Sequence, residues 1–99
     1  MSSLGKKQRK FTLMISQLID HAYNHGFELT FGDAHATTGH KENSFHYKRL
    51  AVDFNLFING VYQTTTEAHK PLGDFWKSIG GTWGGDFKHK DGNHYSYTE

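Results

Sequence analysis

Between Lys7 and His25 the apolar residues Phe11, Met14, Ile15, Leu18, Ile19, Ala22 and Tyr23 recur at intervals that alternate between three and one. This spacing predicts an amphipathic helix with one apolar stripe. Gly26 follows the last periodic residue, the place for a left-handed C-terminal cap. Phe27, Leu29 and Phe31 alternate with Glu28, Thr30 and Gly32, the period of two expected of a half-buried strand. From Asp33 to Ser44 apolar residues are scarce, and Thr37, Thr38, Gly39, Lys41, Glu42 and Asn43 predict a surface loop. A second alternating run sets Leu50, Val52, Phe54, Leu56 and Ile58 on one face and Ala51, Asp53, Asn55 and Phe57 on the other. Asn59-Gly60 and then Val61-Tyr62-Gln63 follow it, the strongest short-range signal for a hairpin.

Thr64, Thr65 and Thr66 lead to Glu67, and Leu72, Phe75, Trp76 and Ile79 recur at helical spacing as far as Gly80-Gly81. Pro71 lies near the start of this second helix, where its missing N–H costs least. Beyond Thr82 come Trp83, Gly84-Gly85, a polar run from Lys88 to Asn93, and His94-Tyr95-Ser96-Tyr97, which alternates as a last strand. The order helix, strand, hairpin, helix, strand predicts a small α+β fold, one domain over residues 1–99, with an antiparallel sheet packed against helices.

Composition narrows the chemistry. A chain of 99 residues has room for one modest core, but 8 Phe, 5 Tyr and 2 Trp bury large areas per residue. Lys+Arg 11 against Asp+Glu 10 gives a formal charge of +1, too little for a nucleic-acid surface. The run Lys6, Lys7, Arg9, Lys10 reads as a solvated helix start. The absence of cysteine excludes disulfides, thiolate nucleophiles and Cys-based metal sites, so any metal must be held by histidine and carboxylate. The glycine pairs lack the Lys-Ser or Lys-Thr of a phosphate loop. No apolar run approaches the ~20 residues that span a bilayer. Ser16, Gln17 and Asp20 interrupt the first apolar stretch, which is therefore no signal-peptide core. The chain is expected to be made in the cytoplasm, not to insert in a membrane, and to be a monomer.

Histidine and aspartate come close together at two places beside strand ends. Asp53 is the one charged residue in an apolar and aromatic strand, and burying it unpaired would cost several kcal/mol, so a cation is expected against it. Asp91-Gly92-Asn93-His94 holds a carboxylate and an imidazole three apart across a tight turn. Two histidines and a carboxylate with a second carboxylate nearby make a usable catalytic zinc set. Three protein ligands leave zinc's fourth position to water, whose pKa falls toward ~7, and a non-ligand carboxylate then takes its proton. Elsewhere, His21 and His25 are expected on an exposed helix face, and His69 and His89 on the surface. Trp76 is expected in the core, and Trp83 either there or at a site.

The stretch Ser44-x-His46-x-x-Arg49-x-Ala51-x-Asp53 resembles the Ser-x-His-x-x-Gly-x-Ala-x-Asp motif of the zinc D-Ala-D-Ala carboxypeptidase and L-alanyl-D-glutamate endopeptidase family. That family includes vancomycin-resistance dipeptidases and bacteriophage endolysins. Its second motif, Trp-Gly-Gly followed by Asp-x-x-His, is matched by Trp83-Gly84-Gly85 and Asp91-x-x-His94. The resemblance is nearest to small phage members, through the segment from Arg49 to Phe57, Pro71-Leu72-Gly73 and Gly92-Asn93-His94. It implies a zinc site in a cleft, with His46, Asp53 and His94 as ligands and Asp91 as general base. It also implies that Trp83 shapes the cleft wall, that Ser44 orients His46 or the substrate, and that the substrate is a peptidoglycan stem peptide. A phage enzyme of this kind would act on the cell wall after release by a holin-type, membrane-permeabilising partner.

Two departures stand out. Arg49 replaces the family's usual glycine and is expected to face away from the metal. The arginine that many members carry upstream of the first histidine ligand is absent, since Arg9 and Arg49 are the chain's only arginines. The polarising role would then fall to zinc or to His35, His40 or Lys41, and His40 is a candidate to line the cleft. Two alternatives follow: a non-catalytic zinc-containing module that binds cell wall or protein, and a structural zinc site closed by His35 or His40 as fourth ligand.

Overall fold

The computed structural model describes residues 3–32 and 49–97. The loop expected from Asp33 to Ser44 lies outside them, as do His35, His40, Ser44 and His46.

Helix α1 runs Leu4–Asn24 and begins ahead of its apolar period because Ser3 caps it, the Ser3 hydroxyl accepting the Lys6 N–H at 3.1 Å. Phe11, Met14, Leu18 and Ala22 form the buried stripe, with Ile15 and Ile19 packed at its margin. Tyr23 departs from the expected stripe and is 51% exposed. Its hydroxyl instead clamps strand β1 (Phe27–Phe31), accepting from the Leu29 N–H at 3.2 Å and donating to the Leu29 carbonyl at 3.3 Å.

Strand β2 (Ala51–Ile58) pairs antiparallel with β1, Phe27 opposite Ile58 and Phe31 opposite Phe54. The Asn59-Gly60 turn then sends β3 (Val61–Tyr62) back along it, with φ of 53° and 77° at the two turn residues. Left-handed values at both positions are what a two-residue hairpin with the right twist requires, which is why Asn-Gly stands there. A 3₁₀ turn over Glu67–His69 opens into α2 (Lys70–Ser78), where Pro71 occupies the first turn. Strand β4 (Thr82–Trp83) is only two residues long and no alternation announces it. A second 3₁₀ turn over Gly84–Asp86 follows, and β5 (His94–Ser96) closes the chain.

The sheet order is β1-β2-β5-β4 with β3 beside the end of β2, all pairs antiparallel, which is the α+β architecture the pattern predicts. Val52, Phe54 and Leu56 of β2 face the helices and are 3%, 1% and 0% exposed. Each such side chain contributes roughly 1.5–3 kcal/mol by leaving water. Trp76 of α2 is fully buried, as expected, and its indole N–H donates to the carbonyls of Thr82 and Ser96, tying the helix to both β4 and β5.

Candidate metal centre

The register between β2 and β5 places Asp53 directly opposite His94. Opposed residues in an antiparallel pair share one face of the sheet. The next pair, Val52 and Tyr95, points into the core, so Asp53 and His94 point away from it. Their side chains retain 18% and 11% of their exposure, and His94 Nδ1 lies 3.6 Å from Asp53 Oδ1. The Phe87 ring covers His94 from one side, the ring centroids 5.3 Å apart.

Asp91 reaches the same place through the turn before β5. The His94 N–H donates to the Asp91 carbonyl at 3.1 Å, closing that turn, and the Asp91 N–H donates to the Gly84 carbonyl at 2.9 Å. From beneath, the Trp83 indole N–H donates to the Gly92 carbonyl at 2.7 Å. Gly84 is needed here, because a Cβ on it would overlap the Asp91 carbonyl oxygen and come within 2.7 Å of His94 Cβ. The Trp-Gly-Gly stretch and the Asp-x-x-His stretch are therefore two sides of one contact, the first a bed for the second.

One ligand atom each from Asp53, Asp91 and His94 lie within 4.8 Å of one another, with Asp53 half-buried, Asp91 exposed and His94 buried. Carboxylate oxygen and imidazole nitrogen are the donors that suit zinc and other divalent ions. The 3.6 Å between His94 Nδ1 and Asp53 Oδ1 exceeds a good hydrogen bond. It is close to the ~3.4 Å that separates two ligands sharing a tetrahedral ion at ~2.0–2.1 Å from each. By donor type and spacing the residues fit a cation.

Of the residues singled out in the sequence, Asp53, Asp91 and His94 are brought together, while His46, Ser44 and His40 lie outside the described residues. Trp83 is not an open cleft wall. It is 4% exposed, because β4 turns its ring inward under α2, and its indole N–H reaches the turn of the site at the Gly92 carbonyl. Arg49 is exposed and lines a surface concavity with Gly5, Gln8, Arg9 and Thr12 on the α1 side. Its φ of 58° lies in the left-handed region that favours glycine, the residue of the motif that this stretch resembles.

His69 departs from its expected place on the surface. It is 4% exposed, with Nδ1 2.8 Å from the Tyr95 hydroxyl, and burial pushes its pKa down to about 4. The same burial pushes the Tyr95 phenol up. No pattern in the polar stretch around His69 announces this; the 3₁₀ turn carries it under β5. His21 also differs from a fully solvated residue, since its ring stacks on Phe75 at 4.0 Å, whereas His25 and His89 are exposed as expected.

The family model described as D-alanyl-D-alanine carboxypeptidase matches residues 38–97, more than half of the chain and a span that takes in both motif stretches. No curated protein matches the chain. With Asp53, Asp91 and His94 gathered at one point of that span, the chain belongs to the D-alanyl-D-alanine carboxypeptidase family of peptidases.

Proposed function

We propose that the protein is a zinc-dependent hydrolase that cuts an amide bond in the stem peptides of peptidoglycan, of L-Ala-D-Glu or D-Ala-D-Ala type. The observation that carries this is the convergence of Asp53, Asp91 and His94 within 4.8 Å in a chain of a peptidase family. His94 and Asp53 hold the metal, and His46 joins them by its place in the first motif. A divalent cation bound there supplies Lewis acidity, acidifying a water and polarising the scissile carbonyl. Asp91, the most exposed of the three, takes the proton of the attacking water and passes it to the leaving amine. The hydrogen bonds from the Asp91 and His94 amides and from the Trp83 indole keep its backbone from following the side chain. Lack of the upstream arginine removes one donor to the developing oxyanion, which slows such a reaction by about 10²–10³.

Within that class we place the chain with the endolysin-like enzymes of phages or prophages, acting on the cell wall after a holin-type partner opens the way. The support is the likeness of the Arg49 to Phe57 segment and of Gly92-Asn93-His94 to those of small phage members. Metal content by mass spectrometry, measured beside release of amino groups from purified peptidoglycan, tests the proposal. Bound zinc with amine release is the expected result, and the new N-terminal residue identifies the bond. Zinc without release would move the protein to a non-catalytic wall-binding module, and no zinc with no release would remove the proposal altogether.

A further inference from the structure

The last turn of α1 carries His21, and the C-cap that follows is His25. Four residues apart, they stand on the same face of the helix, with ring centroids 4.1 Å apart. Both rings are held. His21 stacks on Phe75 of α2, the centroids 4.0 Å apart and the planes within 11° of parallel. His25 Nδ1 lies 2.7 Å from the His21 carbonyl oxygen. A carbonyl oxygen only accepts, so Nδ1 carries the ring proton and Nε2 presents its lone pair. A metal-ligating histidine is usually set this way, with one nitrogen donating to a carbonyl and the other left for the ion. Burial and the neighbouring His25 hold the His21 pKa below its usual 6.5, so at pH 7 this ring is in the neutral form that binds metals. The pair lines a hollow of about 290 Å³, with Asp20 and Asn24 also on its wall. The Asp20 carboxylate and the negative end of the helix dipole both favour a cation there.

We propose that His21 and His25 form a second metal site, sharing no residue with the Asp53, Asp91 and His94 group, that takes an imidazole-preferring divalent ion. Imidazole suits copper, nickel and zinc, and copper binds such donors most tightly of the three. Calcium and magnesium require oxygen ligands, which this pair does not supply. Two protein ligands leave the other positions of the ion to water, so the site is open on the solvent side. Ala22 follows His21 where a His-Glu-x-x-His peptidase helix has its base, so the pair binds metal without forming a second catalytic centre. In excess zinc the chain then holds more than one ion, whether or not it cuts peptidoglycan.

The test is a nuclear magnetic resonance titration of the whole chain, holding one equivalent of zinc, with copper(II), whose unpaired electron broadens the signals of nearby amides. Below one equivalent of copper, amides in 17–25 and 75–79 are expected to broaden first. His21→Gln and His25→Gln should each weaken copper binding there at least about tenfold, since even groups that only orient a ligand are worth about 10–100-fold in affinity. His25→Gln, at the exposed end of the helix, decides the matter should His21→Gln fail to fold. His89→Gln, an exposed histidine elsewhere, should leave the broadening in place. Broadening confined to 52–54 and 91–96, or copper binding that survives His25→Gln undiminished, overturns the site. An equal response to magnesium would also overturn it, by assigning the ion to Asp20 alone. Copper outcompetes zinc for imidazole and so reaches the pair even if the first centre holds no metal, which keeps a failure here distinct from a failure of the peptidase proposal.

Discussion

At Asp91 the backbone is fixed by the Gly84 carbonyl and the His94 amide while the side chain stays exposed, so replacing the carboxylate should disturb chemistry more than structure. Asp91→Asn is expected to keep its metal and lose hydrolysis by roughly 10²–10⁴, the usual worth of a positioned base. Loss of metal together with activity would make Asp91 a ligand. His69 gives a second prediction at this scale. Its folded pKa of about 4 lies below the ordinary value of 6.5, so between these the unfolded chain binds a proton that the folded chain refuses. Stability is therefore full above pH 6.5 and falls as pH drops toward about 4, by an amount on the order of 2–3 kcal/mol. Urea midpoints at pH 7 and pH 4.5 measure the fall, and His69→Gln should flatten it. An equal fall in that variant would assign it to other groups.

Among the elements, α2 meets the site through Gly73, where any Cβ would overlap the Trp83 ring. Helix propensity alone favours alanine there by ~1 kcal/mol. Overpacking costs about 1–3 kcal/mol, and here it displaces the indole that holds the Gly92 carbonyl, so packing should win. Gly73→Ala is expected to lower the urea midpoint and shift the tryptophan emission; a stabilised variant would show that Trp83 moves aside freely. The elements also differ in how far the chain announces them. Helix α1, the β2–β3 hairpin and the last strand are legible because each repeats its period several times or carries a turn signal with a backbone reason. Strand β4 is too short to show a period, and only its pairing with β5 defines it. His69 departs from its expected surface, and Trp83 takes the core of the two places open to it, for one physical cause: their burial comes from what β5 and α2 lay over them, which no neighbour in sequence records. Asp53, Asp91 and His94 were legible as chemistry because a charged residue in an apolar strand and a histidine beyond a tight turn each call for a partner. Their meeting depended on the register that sets Asp53 against His94.

For the whole molecule, the centre joins the middle of the chain to its end, since Asp53 and His94 approach only when β5 is seated on β2. A cation held by both strands binds the folded chain and not the unfolded one, and adds about 2.7 kcal/mol at a free concentration a hundred times its Kd. In a chain of this length a change of that size moves Tm by on the order of 10 °C. Chelator should therefore lower Tm by about that amount, and zinc returned in excess should restore it. The same experiment on His46→Ala separates the ligands. If His46 completes the set with Asp53 and His94, the variant should start near the chelated wild type and respond little to chelator or zinc. A variant that still loses and regains the full shift would show that Asp53, Asp91 and His94 hold the metal without it, and Asp91 would then be a ligand in the resting protein and no longer its base.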